Sequence, residues 1–304
     1  MKVKKWTFEE FPASTLAPEG MKLIKADRSL RFSKPTLNVK YAEKDDMDLH
    51  LEIIYPPMTR EDSENMEIKF PLVIFIQGSG WMKQDLGASM HGLCEFAARG
   101  YVVAIVEYRY ADVAIFPAQV KDTKTAIRFM QEHADEYHAD REKIFVWGDS
   151  SGGHTCVMTA ATMEEEFNDE EGPLDVKAFV DYYGPTDLSK MNDQPTMVDH
   201  MSRESGEGQL IGRRRMDENP EWADKVNTMN YIKKERDMRP LLIIHGDKDR
   251  IVPFEQSVLL YEKMKETGKT VEFYKLEGAD HGRDAFFKEP VLDVVDAFLK
   301  KWSE

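Results

Sequence analysis

The sequence predicts an α/β fold, a mostly parallel eight-stranded sheet wrapped by helices on both faces. Three observations carry this expectation. From about residue 70 onward, short continuous apolar runs alternate with segments of helical periodicity, as expected for strands buried on both faces and joined by crossover helices. Two alternating segments precede them, at 37–41 and 49–55, and read as an antiparallel edge pair. A glycine-flanked serine, Gly148-Asp149-Ser150-Ser151-Gly152, directly follows one apolar run and opens a helical segment.

In chain order the remaining strands fall at 72–77, 102–107, 143–147, 177–183, 241–245 and 271–276. Phe70-Pro71-Leu72-Val73-Ile74-Phe75-Ile76 and Leu241-Leu242-Ile243-Ile244 are unbroken apolar runs, whereas Val271-Glu272-Phe273-Tyr274-Lys275-Leu276 alternates and reads as a half-covered strand. Helices are expected near 86–99, 118–133, 152–166, 254–267 and 290–302. Residues 1–30 are mixed polar and aromatic and are expected to form an arm that helps cover the site. Residues 187–238 break the strand–helix alternation between two strands. They are rich in charge, Asn and Met, with Met191, Met197, Met201, Met216 and Met229 among them. These methionines suit either an adaptable apolar pocket or packing of the segment onto the body. Arg213-Arg214-Arg215 reads as a solvated face. There is no internal repeat or low-complexity tract, and one domain over 1–304 with 187–238 inserted in it is the expected organisation.

Composition narrows the function. A chain of 304 residues that is 41% hydrophobic can bury a large core. Its formal net charge of −15 argues against nucleic acid and anionic membranes, which attract basic surfaces. The partner expected is a small-molecule substrate, and self-association into a homo-oligomer stays open. Cys94 and Cys156 fall on apolar helix faces and read as reduced core residues. The N-terminal residues lack an apolar signal core, and no apolar run has transmembrane length. A cytoplasmic protein is therefore expected. No His-x-x-x-His or Cys-x-x-Cys spacing occurs, so neither a metal nor another cofactor is expected.

The chemistry sits in four segments. Strand, G-x-S-x-G and helix in succession form a nucleophile elbow, in which Gly148 and Gly152 leave room for the sharp turn and Ser150 projects above the sheet. Leu241–Ile244 then runs into His245-Gly246-Asp247-Lys248-Asp249, placing an acid at the carboxyl edge of the sheet, where such folds build their sites. Asp247 and Asp249 both qualify by type. Asp249 is preferred because Ile251-Val252-Pro253 would pack down and hold its loop; Asp247 reads as a turn residue bonded to its own backbone. After the last strand comes His281, in Asp280-His281-Gly282. The order Ser150, Asp249, His281 provides a nucleophile, a base and an orienting acid. Fourth, Gln77-Gly78-Ser79-Gly80-Trp81 follows an early strand, and the amides of Ser79 and Gly80, with that of Ser151, can face a developing oxyanion. The other histidines have plainer readings. His154 packs beneath the elbow, His245 bonds to backbone, and His50, His91, His133, His138 and His200 lack a matching acid and turn.

These segments resemble the α/β-hydrolase superfamily, in particular the hormone-sensitive-lipase-like esterases and the bacterial acetyl-xylan and feruloyl esterases. Gln77-Gly78-Ser79-Gly80-Trp81 stands where the family has H-G-G-G-W. Tyr108-Arg109, Phe116–Asp122, the elbow through His154, Tyr183-Gly184-Pro185, His245–Asp249 and Asp280-His281-Gly282 match as well. The resemblance covers about residues 70–285 and implies a serine carboxylesterase with Ser150, Asp249 and His281 as its triad. It also implies that 187–238 lies over the serine as a lid. Two departures bear on the oxyanion loop. Gln77 replaces a histidine that braces the loop, a task glutamine can do by hydrogen bonding, and Ser79 carries a Cβ and needs a backbone angle that L-residues tolerate. Arg109 and Asp122 read as a structural ion pair. Trp81 is expected to wall the acyl pocket or offer a stacking face to a sugar; a wall suits short acyl groups such as acetate, and by family analogy the leaving group is a carbohydrate or another small alcohol, with hydroxycinnamate esters also open. Two other readings are a serine peptidase of the same fold, which usually needs a further large domain, and a non-catalytic binding protein, which typically loses a triad member.

Overall fold

The computed structural model describes residues 4–26, 35–163, 165–282 and 285–303. The chain divides into two compact units, Met1–Leu30 and Arg31–Glu304. Of the expected arm at 1–30, residues 1–3 and 27–30 lie outside the described residues. Its described part holds a turn closed by the Phe11 amide on the Thr7 carbonyl at 3.1 Å, with the rings of Trp6 and Phe11 edge to face.

The second unit carries the sheet. Its elements run β1 (Thr36–Lys44), β2 (Met47–Ile54), α1 (Arg60–Glu64), β3 (Phe70–Ile76), α2 (Met90–Ala97), β4 (Val102–Val106), α3 (Ala118–Glu132), β5 (Ala139–Asp149), α4 (Ser151–Thr162), β6 (Val176–Tyr182), α5 (Gly206–Leu210), α6 (Pro220–Val226), β7 (Leu241–Gly246), α7 (Glu255–Glu266), β8 (Val271–Leu276) and α8 (Glu289–Lys301). The eight strands pair in the order β1-β2-β4-β3-β5-β6-β7-β8. Only the β1–β2 and β2–β4 pairings are antiparallel; the rest are parallel. This is the mostly parallel sheet that the apolar runs predict, with the alternating segments as its antiparallel edge.

Strand alternation divides the core. Ile144 and Val146 of β5 point to one face and pack with Ile127 and Met130 of α3, Val157 of α4 and Leu260 of α7. Phe145 and Trp147 point to the other and pack with Leu93 and Phe96 of α2 and Val295 and Phe298 of α8. Helices thus cover both faces, and β5 is buried from Ile144 to Asp149. Three element bounds differ from expectation for physical reasons. β5 starts at Ala139, where Phe70 pairs with Ala139 across a register shift; the exposed charges of Arg141 and Glu142 hide that start. α2 starts late because Asp85 closes a turn on the amides of Gly87 and Ala88. α4 stops at Thr162, beyond which the Lys124 ammonium gathers the carbonyls of Met163 and Glu166, each at 2.5 Å.

The 187–238 segment holds α5, α6 and two short 3₁₀ turns, Leu188–Lys190 and Thr228–Asn230. Met191, Met201, Leu210, Met216 and Val226 from this segment form a third apolar cluster with Trp81, Phe116 and Met158. Three of its methionines therefore pack the segment onto the body, while the exposed Met197 does not. Each buried side chain of this kind contributes about 1.5–3 kcal/mol. Exposed ion pairs such as Arg213–Asp112 are screened by solvent and add little, so packing is what attaches the segment. Among the described residues, no helix is long and apolar enough to cross a membrane.

The turn from β5 into α4 leaves no space for side chains at its glycines. A Cβ on Gly152 would lie 1.9 Å from the Ile76 carbonyl oxygen, and backbone is the part least able to yield. Gly152→Ala is expected to lower unfolding free energy by about 3 kcal/mol or more, measured by urea denaturation, because overpacking a close backbone contact typically costs 1–3 kcal/mol and sometimes exceeds it.

Candidate active site

Ser150 joins β5 to α4 with φ 53° and ψ −125°. L-residues rarely adopt such angles, and holding one there costs of order 1–3 kcal/mol. The turn lifts the side chain off the sheet and leaves the first amides of α4 without helical partners. His281 Nε2 lies 3.0 Å from Ser150 Oγ, and its Nδ1 lies 2.7 Å from Asp249 Oδ2. Three side chains from widely separated loops thus meet at hydrogen-bond distance.

Asp249 is held from every side. Its Oδ1 accepts the amides of Ile251 and Val252, both at 2.9 Å, so the Ile-Val-Pro run does pin this loop. His245 goes beyond the expected backbone contact: its Nε2 sits 3.0 Å from the Val252 carbonyl and 3.2 Å from Asp249 Oδ2. Both partners of Nε2 accept, so that nitrogen carries a proton, and Nδ1 lies 2.7 Å from Ser257 Oγ. Burial opposes ionisation of Asp249, but the hydrogen bonds from His245 and His281 outweigh it and its pKa is lowered. Asp247 bonds elsewhere than expected. Its Oδ1 accepts the Gly278 amide at 2.7 Å, tying the acid loop to the loop that bears His281. Asp280 adds a second tie by accepting the amides of both Arg250 and His281. The Arg250 guanidinium and those bonds hold its carboxyl well below the usual range.

The 77–81 loop, expected to face an oxyanion, is braced differently from what Gln77 suggests. Among the described residues, Gln77 Oε1 is buried without a partner. Gln84 does the bracing instead: its Nε2 donates to the carbonyls of Gln77 (3.1 Å) and Val106 (3.0 Å), and its Oε1 accepts the Tyr108 amide. Ser79 Oγ donates to the Met82 carbonyl at 2.6 Å and meets Tyr108 Oη at 3.0 Å. The left-handed angles fall on Gly80 (φ 64°) and Trp81 (φ 58°) rather than on Ser79, so the serine substitution needs no unusual backbone. The Ser79 amide donates to Ser151 Oγ at 2.9 Å. Trp81 is 2% exposed, and its indole meets the His154 ring edge to face at 5.2 Å. His154 is buried, and its Nε2 bonds the Val226 carbonyl at 2.8 Å, which links the elbow helix to the 187–238 segment. Burial pushes its pKa down to about 4, so the ring is neutral.

Beneath the elbow lie two buried acids, Asp149 within the elbow motif and Asp181 two residues before Tyr183-Gly184-Pro185. Asp149 Oδ1 accepts the Gly78 amide at 2.7 Å, and its Oδ2 accepts Tyr183 Oη at 3.2 Å. The Tyr183 ring in turn packs edge-on against His281 at 4.8 Å. Asp181 accepts the Gly184 amide at 3.0 Å. Its Oδ1 lies where a Cβ of Gly153 or of Gly184 would fall, 2.2 and 2.4 Å away, a steric reason for glycine at both positions.

These groups line a cavity of about 650 Å³. Ser79, Gly80, Trp81, Ser150, Ser151 and His281 all border it, as do Met197, His200 and Glu207 of the 187–238 segment. Outside the Ser150–His281 constellation, three histidines pair with carboxylates: His50 with Glu107 at 2.9 Å, and His133 with Glu136 and His200 with Glu207, each at 2.8 Å. No local motif marks these partners. Among the described residues, no group of three or more His, Cys, Asp or Glu is arranged to hold a metal.

An elbow serine over a mostly parallel sheet, with an acid and a histidine on two later strand-end loops, defines an α/β-hydrolase of the esterase group. The model of the BD-FAE family matches residues 58–264, and the chain belongs to that family. It is 28% identical over 222 residues to Esterase LipC of Mycobacterium tuberculosis, a match covering 70% of this chain and 53% of that protein. It is 25% identical over 244 residues to a probable isoprenylcysteine alpha-carbonyl methylesterase of Arabidopsis thaliana, covering 76% and 49%. The chain therefore spans about half the length of the curated relatives it matches. Among solved structures, a truncated carbohydrate esterase from gut microbiota superposes with a TM-score of 0.77 at 27% identity, covering 91% of this chain and 98% of that one. Esterase 2 of Thermogutta terrifontis, solved with propionate bound, superposes with a TM-score of 0.67 at 26% identity, covering 89% and 94%.

Asp181 generates a prediction about pH. Burial pushes its pKa up to about 7, with the charge of Asp149 adding to the rise against the Gly184 bond. The folded chain therefore holds a proton between about pH 4 and pH 7 that the unfolded chain has lost, and stability falls as pH rises through that window. At 1.36 kcal/mol per unit the loss is about 4 kcal/mol at most. Asp181→Asn keeps an uncharged acceptor for Gly184. It is expected to remove this part of the decline and to gain on the parent at pH 8 relative to pH 5, in urea denaturation at both values.

Proposed function

We propose that the chain is a serine carboxylesterase that cleaves short acyl esters, acetyl esters foremost, of small hydroxylated alcohols such as sugars. The observation that carries this reading is the unbroken series of hydrogen bonds from Asp249 through His281 to Ser150, beside a cavity of about 650 Å³.

The chemistry follows from the groups present. A serine hydroxyl needs a base within hydrogen-bond reach to act as a nucleophile at neutral pH. As Ser150 Oγ bonds to the ester carbonyl carbon, its proton passes to His281 Nε2. Asp249, kept ionised by its donors, orients His281 and stabilises the imidazolium that forms. The carbonyl oxygen becomes an oxyanion facing the amides of Gly80 and Ser151. Each such amide is typically worth about 3–4 kcal/mol in the transition state. The Ser79 amide, engaged by Ser151 Oγ, joins the hole when that hydroxyl turns away. Collapse of the tetrahedral species breaks the bond to the alcohol oxygen, which takes the proton from His281 as it leaves. Water, activated by the same histidine, repeats the sequence on the acyl-enzyme and releases the carboxylic acid. All proton transfers run through the chain's own side chains, so the scheme calls for no cofactor.

Trp81, immobilised against His154, supports a closed acyl side and hence short acyl chains. The propionate in the Thermogutta esterase and the carbohydrate specificity in the name of the gut esterase support the two halves of the substrate assignment. In this reading residues 187–238 are a lid within one hydrolase domain spanning 1–304. The two cysteines, both unpaired, fit a reducing cytoplasm.

Ser150→Ala is expected to abolish both p-nitrophenyl acetate hydrolysis and fluorophosphonate labelling while leaving the melting temperature unchanged. Asp249→Asn should lower kcat by several orders of magnitude, and Asp247→Asn by less than tenfold. A parent chain that neither turns over aryl acetates nor reacts with the probe would refute the reading. Faster cleavage of peptide anilides than of esters would replace it with a peptidase.

Trp81→Ala should move the preference from p-nitrophenyl acetate toward the octanoate, measured as the ratio of kcat/KM values. An unchanged ratio would remove Trp81 from the acyl wall.

A further inference from the structure

The 187–238 segment reaches the site through a buried charge pair that the mechanism above does not use. His200 Nδ1 lies 2.8 Å from Glu207 Oε1, and its Nε2 lies 2.9 Å from the Ile251 carbonyl oxygen. The side chains are 2% and 8% exposed. A carboxylate and a carbonyl can only accept, so both ring nitrogens are placed to donate, as in an imidazolium; the Thr196 hydroxyl also lies 3.2 Å from Nε2. Burial works against that charge, but the bond and charge of Glu207, the Ile251 carbonyl and the charge of Asp199 outweigh it and raise the pKa.

Each end of the pair touches a different half of the site. Ile251, whose carbonyl His200 holds, gives its amide to Asp249 Oδ1 at 2.9 Å. The Met197 amide and Thr196 hydroxyl also bond the Arg250 and Ile251 carbonyls, so this stretch grips the acid loop in three places. Glu207 lies in the first turn of α5, next to Gly206. That glycine abuts the oxyanion loop so closely that a Cβ on it would lie 2.7 Å from the Gly80 carbonyl oxygen. Ser205 caps α5 through the Gly208 amide and donates to the His200 carbonyl at 3.0 Å, which fixes the short loop between the two partners.

We propose that His200 and Glu207 are positioning residues: their buried ion pair clamps the oxyanion loop and the Asp249 loop at a fixed separation across the cavity. The clamp acts through backbone, from Glu207 and Gly206 to Gly80 on one side, and from His200 through Ile251 to Asp249 and His281 on the other. The idea rests on the esterase reading for its kinetic consequence, but its geometry can be read without turnover.

The test uses the full chain and four variants. In the parent, ring ¹⁵N NMR should show both His200 nitrogens protonated at pH 7, and the low-field proton of the His281–Asp249 bond should be visible. His200→Ala should shift or broaden that proton and lower kcat for p-nitrophenyl acetate at least tenfold, with KM changed less than threefold. Glu207→Gln, whose amide can donate to Nδ1, should leave His200 singly protonated yet keep kcat within threefold of the parent. Should His200→Ala fail to fold, Glu207→Ala carries the same expectation. The double variant His200→Ala/Glu207→Ala should be no slower than His200→Ala alone, since the two act as one unit. A singly protonated His200 in the parent overturns the proposal. So does an unmoved His281 proton in a folded His200→Ala or Glu207→Ala variant. If the parent shows no esterase activity, the function assigned above fails, and the two NMR readouts still decide whether the clamp exists.

Discussion

The site closes on one buried carboxylate. Asp249 sits at the carboxyl edge of the sheet, where burial would drive it toward the neutral acid. Four donors reverse that: the amides of Ile251 and Val252 on one oxygen, and the rings of His281 and His245 on the other. One donor sits on the sheet and three in short loops whose position depends on it. His245 lies near the end of β7, Ile251 and Val252 lie in the loop that follows, and His281 arrives from the loop after β8. A carboxylate satisfied this way is ionised and fixed, and both properties are needed if it is to orient a histidine toward Ser150. The same bonds define the loop, so a change that neutralised Asp249 would loosen the backbone around it as well as the chemistry.

Strain gathers around the same cavity. Ser150, Trp81 and Tyr183 all have positive φ, which bulky or branched side chains adopt at a cost of about 1–3 kcal/mol each. The surroundings hold each of them. The Ser150 amide bonds the Tyr182 carbonyl and the Tyr183 amide bonds the Ile244 carbonyl, so neighbouring strands define both turns, while the third apolar cluster encloses Trp81. The strain is therefore met by the burial of the sheet and of the 187–238 segment. A rigid frame of this kind suits a reaction that needs donors fixed before charge develops.

How much of this was legible in the sequence depended on whether the signal was local. The strands of the parallel sheet are continuous apolar runs, and β3, β6, β7 and β8 begin and end within two residues of the expected bounds. The elbow and the two later loops carry their residue types in a fixed order, so Ser150, Asp249 and His281 could be named without coordinates. What stayed hidden depends on contacts between distant segments. β5 starts early under cover of charged residues. Gln84, seven residues past Gln77, braces the oxyanion loop through two carbonyls and an amide, and no spacing rule reports that. Asp149 stands inside the elbow motif and Asp181 just before Tyr183-Gly184-Pro185, yet neither motif shows that Gly78 and Tyr183 bond the first and Gly184 the second. The methionines of 187–238 left two readings open, and burial separates them: Met191, Met201 and Met216 pack against Trp81 and Phe116, Met238 packs into the main core, and Met197 faces the cavity.

The buried polar groups beneath and above Ser150 share one design. Asp149 receives an amide from the oxyanion loop and a hydroxyl from the tyrosine that packs on His281. The His200–Glu207 pair spans from the acid loop to the helix that abuts Gly80. In each case a side chain that does not reach the cavity centre sets the distance between two loops that do. Apolar contacts could hold the loops near each other, but they are non-directional and tolerate sliding. A hydrogen bond weakens steeply outside a narrow range of distance and angle. A site that holds His281 Nε2 3.0 Å from Ser150 Oγ is therefore better served by a few satisfied buried polar bonds between loops than by more apolar area. The cost is desolvation, which is visible in the raised pKa values of Asp149 and Asp181. It is tolerable here because the sheet beneath supplies stability enough to bury them.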